Sequence, residues 1–361
     1  LGNYIKYTLD SEGNREKEEY YDPSGMLHKS ITNTFDAYNR IDTTRQASDN
    51  AWRYRYTADG ELVNIYDGKY NQENYSYDSI SRLVSTSKLG DVIYFGYDAA
   101  DNIASVTDPR NNTTKYIYDD LGNLLQLDSP DTGVTIYTSD TAGNVKTKTD
   151  ALGKTLVYAY DSLNRLTIID AETNSEDINL NYDNCLNGVG RLCEVAMGSE
   201  AVNYSYDAFG NITEHQGISY TYDNANRVKS ILYDSGAVIT YKYDVAGKVS
   251  EVGLSYSDMV FPIATDIGYV PFGPVSYMSY GNGKALTQNM DHAYRHYSIN
   301  IPGIISIRDI FYDSNGNLSQ RYFGVTQEGY NYDGHNRLDD SNGVFGSQDY
   351  VYDKNGNLTS L

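Results

Sequence analysis

The chain is short of cysteine, tryptophan, phenylalanine and positive charge: 2 Cys, 1 Trp, 8 Phe and 28 Lys plus Arg in 361 residues. Two cysteines by themselves do not make a metal site. The basic side chains are outnumbered by 49 Asp plus Glu, for a formal charge of −21. That balance argues against nucleic acid or anionic lipid as a partner, and weakens any heparin-type ligand. No apolar run approaches the length of a membrane-spanning helix, so no span is expected. No P-loop, Rossmann fingerprint or Gly-x-Ser-x-Gly elbow is present, and no cofactor is expected. The five histidines, His28, His215, His292, His296 and His335, are scattered. His292 and His296 would share a strand face, but they lack a third ligand for zinc. The start, Leu1-Gly2-Asn3-Tyr4, carries neither Met nor a signal peptide, so the sequence reads as a piece of a larger protein.

What the chain does have is tyrosine, 38 of them, in a recurring nine-residue phrase. Its clearest copy is Tyr116-Ile117-Tyr118-Asp119-Asp120-Leu121-Gly122-Asn123-Leu124. The first half reads Tyr-x-Tyr-Asp; the second reads x-x-Gly-Asn-Leu or x-x-Asn-Arg-Leu. Copies place their Tyr-Asp pair at Tyr77-Asp78, Tyr97-Asp98, Tyr118-Asp119, Tyr160-Asp161, Tyr182-Asp183 and Tyr206-Asp207. Further copies stand at Tyr222-Asp223, Tyr243-Asp244, Tyr312-Asp313, Tyr332-Asp333 and Tyr352-Asp353. The steps from Tyr77 to Tyr118 are 20 and 21 residues, and Ser139-Asp140 fills the next slot without its Tyr. A fixed period of this size marks a repeat architecture.

The phrase encodes a hairpin. Tyrosines two apart lie on one face of a strand, because side chains alternate. The Asp can fold back as an Asx turn and accept a backbone N–H two residues on. Three positions after it stands a residue tolerant of positive φ, as a short bulged hairpin loop requires: Gly122, Gly210, Gly247, Gly316 and Gly356, or Asn. A Leu, Ile or Val then restarts alternation, as at Leu124, Leu166, Ile212 and Leu338. The rest of each period holds a looser turn, such as the one at 108–112. One period is therefore two strands and two turns. The tyrosines are expected to be core and cross-strand stacking residues rather than a ligand cage. Keeping a hydroxyl on nearly every ring suits a face that is half wet.

The expected fold is all-β: tandem hairpins in one long curved antiparallel sheet, a single array over 1–361. Residues 1–60 hold degenerate copies, 61–249 regular ones, 250–311 an interruption or corner, and 312–361 regular copies again. About thirty strands exceed what an open twisted sheet sustains, so the sheet is expected to curl, close or be capped. The interruption contains Tyr269-Val270-Pro271-Phe272-Gly273-Pro274-Val275 and reads as a bulge or corner, or else as a contact with a neighbour. The copy at 182–193 is enlarged and holds both cysteines, Cys185 and Cys193, across an Asn-Gly turn. A hairpin there sets them within disulfide reach; a bond and two free thiols both remain open. A bond would imply an oxidising compartment. Asp313-Ser314-Asn315-Gly316-Asn317 and Asp353-Lys354-Asn355-Gly356-Asn357 spread oxygens as calcium loops do, but they lack the closing Glu and sit where the hairpin needs Asp and Gly.

These residues resemble the YD repeats of the Rhs family, related to Tc toxin B/C components and to the YD shell of teneurins. The resemblance runs over almost the whole chain. It implies a sheet that spirals into a hollow shell, in bacterial members enclosing a C-terminal toxin domain. Cys-bearing enlarged copies occur in Rhs-like proteins, and so does a segment like 269–283. The terminal Asp-Pro-x-x-Gly-Arg type motif that carries self-cleavage in the family does not follow Leu358. Asp22-Pro23-Ser24-Gly25-Met26 is a distant echo of it, with Met where Arg belongs. Self-cleavage and toxin activity therefore do not carry over.

The expectation is a non-enzymatic shell segment of a secreted or surface-exposed bacterial protein. Its partners would be an enclosed polypeptide or neighbouring shell segments. The acid excess reads as solubility and Asp-rich turns, or as an acidic lumen for a basic cargo. The rival expectation is an extracellular adhesive module, teneurin-like, binding a protein, a carbohydrate or a cell-surface partner through its outer wall or the 250–311 segment. A glycan-active enzyme would need paired carboxylates in unlike environments, and too many equivalent Asp are present to choose among.

Overall fold

The structure, a computed structural model, describes residues 2–46, 50–173, 176–344 and 346–360. Leu1, the first residue of the N-terminal stretch discussed above, lies outside them. Among the described residues 33 strands fall in one antiparallel sheet, and Val351–Tyr352 pairs with Leu358–Ser360 apart from it. Most are five to seven residues long and joined by tight turns.

The pairing Tyr116↔Leu127, Ile117↔Gln126, Tyr118↔Leu124 shows how each hairpin is made. The register slips by one residue between Ile117 and Tyr118. The same slip precedes Tyr160, Tyr182, Tyr206, Tyr222, Tyr312, Tyr332 and Tyr352. Each is the bulge that a five-residue turn needs when its fourth member is left-handed. That member is Gly122 at φ 82°, or Asn164 at φ 59° in the Asn-Arg version.

By contact the chain divides into two compact units: Leu1–Ile93, Lys242–Val252 and Pro262–Leu361, and Tyr94–Tyr241 with Gly253–Phe261. In the second unit, neighbours in sequence pair without a break from Asp91–Tyr97 to Val238–Tyr243. Alternate turns of such a run must fall on opposite edges. All its Tyr-Asp turns therefore lie on one edge, here the Tyr-Asp rim, and the looser turns line the opposite rim.

In the first unit the degenerate copies make the same turn: Gly13, Gly25 and Asn39 donate to the carbonyls of Asp10, Asp22 and Asp36. Hairpins also continue through 262–311, with turns at 270–274, 280–284 and 291–295 closed by the same backbone bonds. The local departures are double register shifts beside Asp266 and Asp309, non-glycine residues at φ 52° and 50°. Beside Asp266 both shifts adjoin Gly268. Among the described residues the buried apolar side chains are few, half of them small (Ala51, Ala171, Cys193 and Ala264) and half large (Tyr206, Leu286, Ile307 and Ile310). With no thick central core, each hairpin depends on its neighbours in the row.

Candidate functional site

The Tyr-Asp turn is the unit from which the candidate surface is built, and Asp119 shows its wiring. Asp119 Oδ1 accepts the backbone N–H of Leu121 at 2.9 Å and of Asn123 at 2.8 Å. Its Oδ2 accepts the Asn123 side-chain amide at 2.8 Å. The backbone adds Asp119 N to Asn123 O and Gly122 N to Asp119 O. Asp207, Asp313 and Asp353 repeat this with Asn211, Asn317 and Asn357. Asp78, Asp161, Asp223 and Asp333 instead hold the Arg four residues on, through its Nε. Asp98 accepts from Ala100 and Asn102, and Asp244 from Ala246 and Lys248.

This wiring acts on the carboxylates. The Asn amide four residues on, followed by backbone N–H groups, holds Asp119 and Asp207 below the usual carboxylate range despite opposing desolvation. At Asp161 the backbone N–H of Arg165 leads, and at Asp223 the Arg227 side chain leads, in the same direction. At Asp313 burial pulls upward, but bonds from Lys69 and Asn317 prevail.

The tyrosine before each Asp reaches back to the preceding hairpin. Tyr77 Oη donates to the Leu62 carbonyl, Tyr160 to Val145, Tyr182 to Leu166 and Tyr222 to Ile212, at 3.0, 3.0, 2.9 and 2.6 Å. Tyr312 donates to His296, and Tyr352 to Leu338. The acceptor is in each case the residue that restarts the return strand. Burial pushes the hydroxyls of Tyr118, Tyr160, Tyr206, Tyr222, Tyr312 and Tyr332 upward, as a neutral donor in a half-dry wall should behave. Rings do stack at Tyr4 and Tyr21, 5.0 Å apart. The carbonyl clamp is the device repeated from hairpin to hairpin.

The fifth residue of the turn closes the ladder, and its role was not drawn from the sequence. Arg165 lies 4.4 Å over the Tyr182 ring and pairs with Asp183 at 2.6 Å as well as with its own Asp161. Arg295 lies over Tyr312 and Arg337 over Tyr352. Where Asn takes that place, its amide bonds the next turn: Asn144 to Asn164 at 3.1 Å, and Asn317 to Asn336 at 3.0 Å. The signal was visible in the alternation of Gly-Asn with Asn-Arg.

In the enlarged turn, Cys185 and Cys193 are disulfide-bonded, their Cα atoms 5.4 Å apart. Gly188 lies so close that a Cβ would stand 2.4 and 2.5 Å from the two sulfurs. Asp183 accepts from Gly190 N at 2.6 Å, which anchors the loop.

The first unit also holds a seam between residues remote in sequence. Asn315 donates to Asp67 Oδ2 and accepts the backbone N–H of Lys69, both at 2.8 Å, while Lys69 pairs with Asp313 at 2.7 Å. Asp67 is 2 % exposed. A Cβ on Gly68 would lie 1.7 Å from the Ser314 carbonyl, so only glycine admits the opposing turn. His335 meets Asp91 at 3.2 Å, Ser30 N donates to His292 O, and Phe272 meets Tyr20 edge-on. Tyr-Asp-rim turns from the C-terminal part thus sit against opposite-rim turns and strand ends from the N-terminal part. An open cavity of about 790 Å³ beside the seam is lined in part by Asp22, His28, Met290 and His292.

Among the described residues no group of three or more His, Cys, Asp or Glu is placed to hold a metal. The oxygens of the Asp313 loop are committed to its own turn and to Lys69. No described helix is long and apolar enough to cross a membrane.

Residues 97–134 and 140–175 match the family model of the RHS repeat. No curated protein matches. Among solved structures, the chain resembles TcdB2-TccC3-Cdc42 at TM-score 0.74 and 14 % identity, over 98 % of this chain and 25 % of that one. It also resembles a Tc holotoxin pore from Photorhabdus luminescens at TM-score 0.72 and 13 % identity, over 99 % of this chain and 26 % of that one. The chain thus spans about a quarter of the length of the chains it matches.

Proposed function

We propose that this chain, a member of the Rhs/YD-repeat family, is a stretch of shell wall that encloses another polypeptide. The observation that carries this reading is the row of hairpins fastened each to the next by a tyrosine clamp and a turn-to-turn bond. The seam between sequence-remote turns supports it too. Such a wall acts sterically. Within the row each strand is paired on both sides, and a continuous sheet keeps proteases from what lies behind it. The chemistry of the described surface is structural: the carboxylates of the rim are spent on turns, with nothing arranged around them as nucleophile and base.

The disulfide supports a secreted or surface location, where such a bond persists. The enclosed polypeptide is the C-terminal part of the same secreted protein, and in the bacterial setting it is a toxin. The test is limited proteolysis of the protein in its full-length context. The repeat region and the polypeptide it covers should both survive protease that digests the latter once the wall is denatured. Rapid digestion of that polypeptide beside an intact repeat region would refute enclosure.

A further inference from the structure

Among the described residues, four large apolar or aromatic side chains stand at positive φ: Tyr70 at 66°, Leu89 at 53°, Phe272 at 56° and Tyr294 at 62°. Elsewhere such positions go to Gly or to a polar residue, mostly Asn or Asp, because a large side chain is strained there. Tyr70 rests on Arg53 of the same stretch, 4.3 Å from the guanidinium to the ring centroid. The other three reach across the seam of the first unit. Leu89 packs on Gly334, Phe272 meets Tyr20 edge-on, and the Tyr294 ring takes Lys29 Nζ at 5.4 Å.

The tightest contacts of the seam are made at glycines that their own turns do not need. Gly334 is the second residue of its turn, where other Tyr-Asp turns carry Ser79, Ala99, Asp120, Val245 and Lys354. Gly68 holds the same place in a looser turn, where the turns at 108–112 and 150–154 carry Pro109 and Ala151. Neither glycine is at positive φ. A Cβ on Gly334 would stand 2.2 Å from Leu89 Cδ1, and one on Gly68 would stand 1.7 Å from the Ser314 carbonyl oxygen. The space these glycines leave is taken by the opposing part of the chain.

We infer that Gly68 and Gly334, with Leu89, Phe272 and Tyr294, form a register lock that fixes which turns meet across the seam. Every period offers nearly the same turn, so without such a device one rim could dock on the other in alignments one period apart. A one-period slip would set Leu89 against Ser314 or Lys354, whose side chains fill the space that Gly334 leaves open. The lock admits the alignment that joins Asp67 to Asn315 and Asp91 to His335, and it excludes the neighbouring ones. The strain at Leu89, Phe272 and Tyr294 is retained for these contacts rather than for the turns that carry it. The inference stands apart from enclosure: it concerns how two parts of one unit meet, not what lies behind them.

Hydrogen exchange on the full chain tests it, read at two amides that donate across the seam: Ser30 N to His292 O, and Lys69 N to Asn315 Oδ1. Gly334→Ala should speed exchange at both by about tenfold, while the amides of the turn at 119–123 keep their rates. Leu89→Ala removes the Cδ1 that the new methyl would strike, so the double variant Gly334→Ala, Leu89→Ala should return toward wild-type rates. Leu89 and Gly90, at φ 53° and 91°, make a two-residue turn that favours Asn-Gly. Leu89→Asn should therefore keep the amides of its own hairpin, 83–97, protected and still speed exchange at Ser30 and Lys69. Faster exchange confined to 333–337 in Gly334→Ala would overturn the inference. So would a double variant that exchanges as fast as Gly334→Ala alone, or a Leu89→Asn chain with wild-type rates at both reporters.

Discussion

At the scale of single residues, the tyrosine hydroxyl separates this wall from an ordinary apolar one. Tyr206 is 8 % exposed, and its hydroxyl donates to the Leu192 carbonyl at 2.5 Å. Replacing it by Phe keeps the ring and deletes the bond, leaving a carbonyl short of a partner. Tyr206→Phe should cost about 1 kcal/mol, measured as a lowered urea midpoint at unchanged slope. Phenylalanine would satisfy the same burial, so the choice of Tyr at the clamp positions follows from the bond. The Asx fold-back of Asp119 and the left-handed Gly122 were legible in the sequence, because both are local consequences of one residue's chemistry. The acceptor of each tyrosine was not. It lies on the preceding hairpin, and only the pairing register decides which carbonyl comes within reach.

At the scale of the hairpin, the enlarged copy is the one element with a covalent tie. Cys185 and Cys193 are eight residues apart, and closing so short a loop removes modest entropy from the unfolded chain. The double variant Cys185→Ser, Cys193→Ser should lose roughly 2–3 kcal/mol, and reducing agent should lower the wild type by a similar amount while leaving the variant unaffected. Denaturant melts with and without dithiothreitol provide the comparison. The spacing had left a bond and free thiols both open, with the bond favoured. Gly188 settles how the loop folds, since the space a Cβ would need is taken by sulfur. The 250–311 segment read as a break because its Tyr-Asp text is absent. Yet Val270 and Tyr280 start turns with the same backbone bonds as Asp, so that text is sufficient for the turn without being required. What differs there is the doubled bulge at Asp266 and Asp309, which no periodicity announces.

At the scale of the whole molecule, the repeated carboxylates and hydroxyls set a pH window. Carboxylates such as Asp119, Asp161 and Asp207 titrate lower folded than unfolded, so their stabilisation is complete above about pH 4 and is lost as pH falls through their depressed values. Tyrosines titrate higher folded than unfolded, Tyr75 being pushed up to about 12 by burial and Glu73. Their stabilisation is complete below about pH 10 and is lost as pH climbs through the raised values. Melting temperature against pH should therefore show a broad plateau between those limits, with a fall on each side. A maximum confined to a narrow range near neutrality would contradict it. The all-β repeat architecture was legible because one period is written into the sequence many times. The Asp67–Asn315 seam was not, because residues 248 positions apart in sequence meet only once the sheet has folded.

The fastening of each turn to the next has a consequence for inheritance. Arg165 grips Asp183, and Asn144 grips Asn164, through groups that the neighbouring period also carries. A gene segment encoding one period can then be duplicated or dropped by unequal recombination, and the joint left behind finds complementary partners on both sides. Length becomes a heritable variable that changes by whole modules, so the row of hairpins can lengthen or shorten without a new kind of joint.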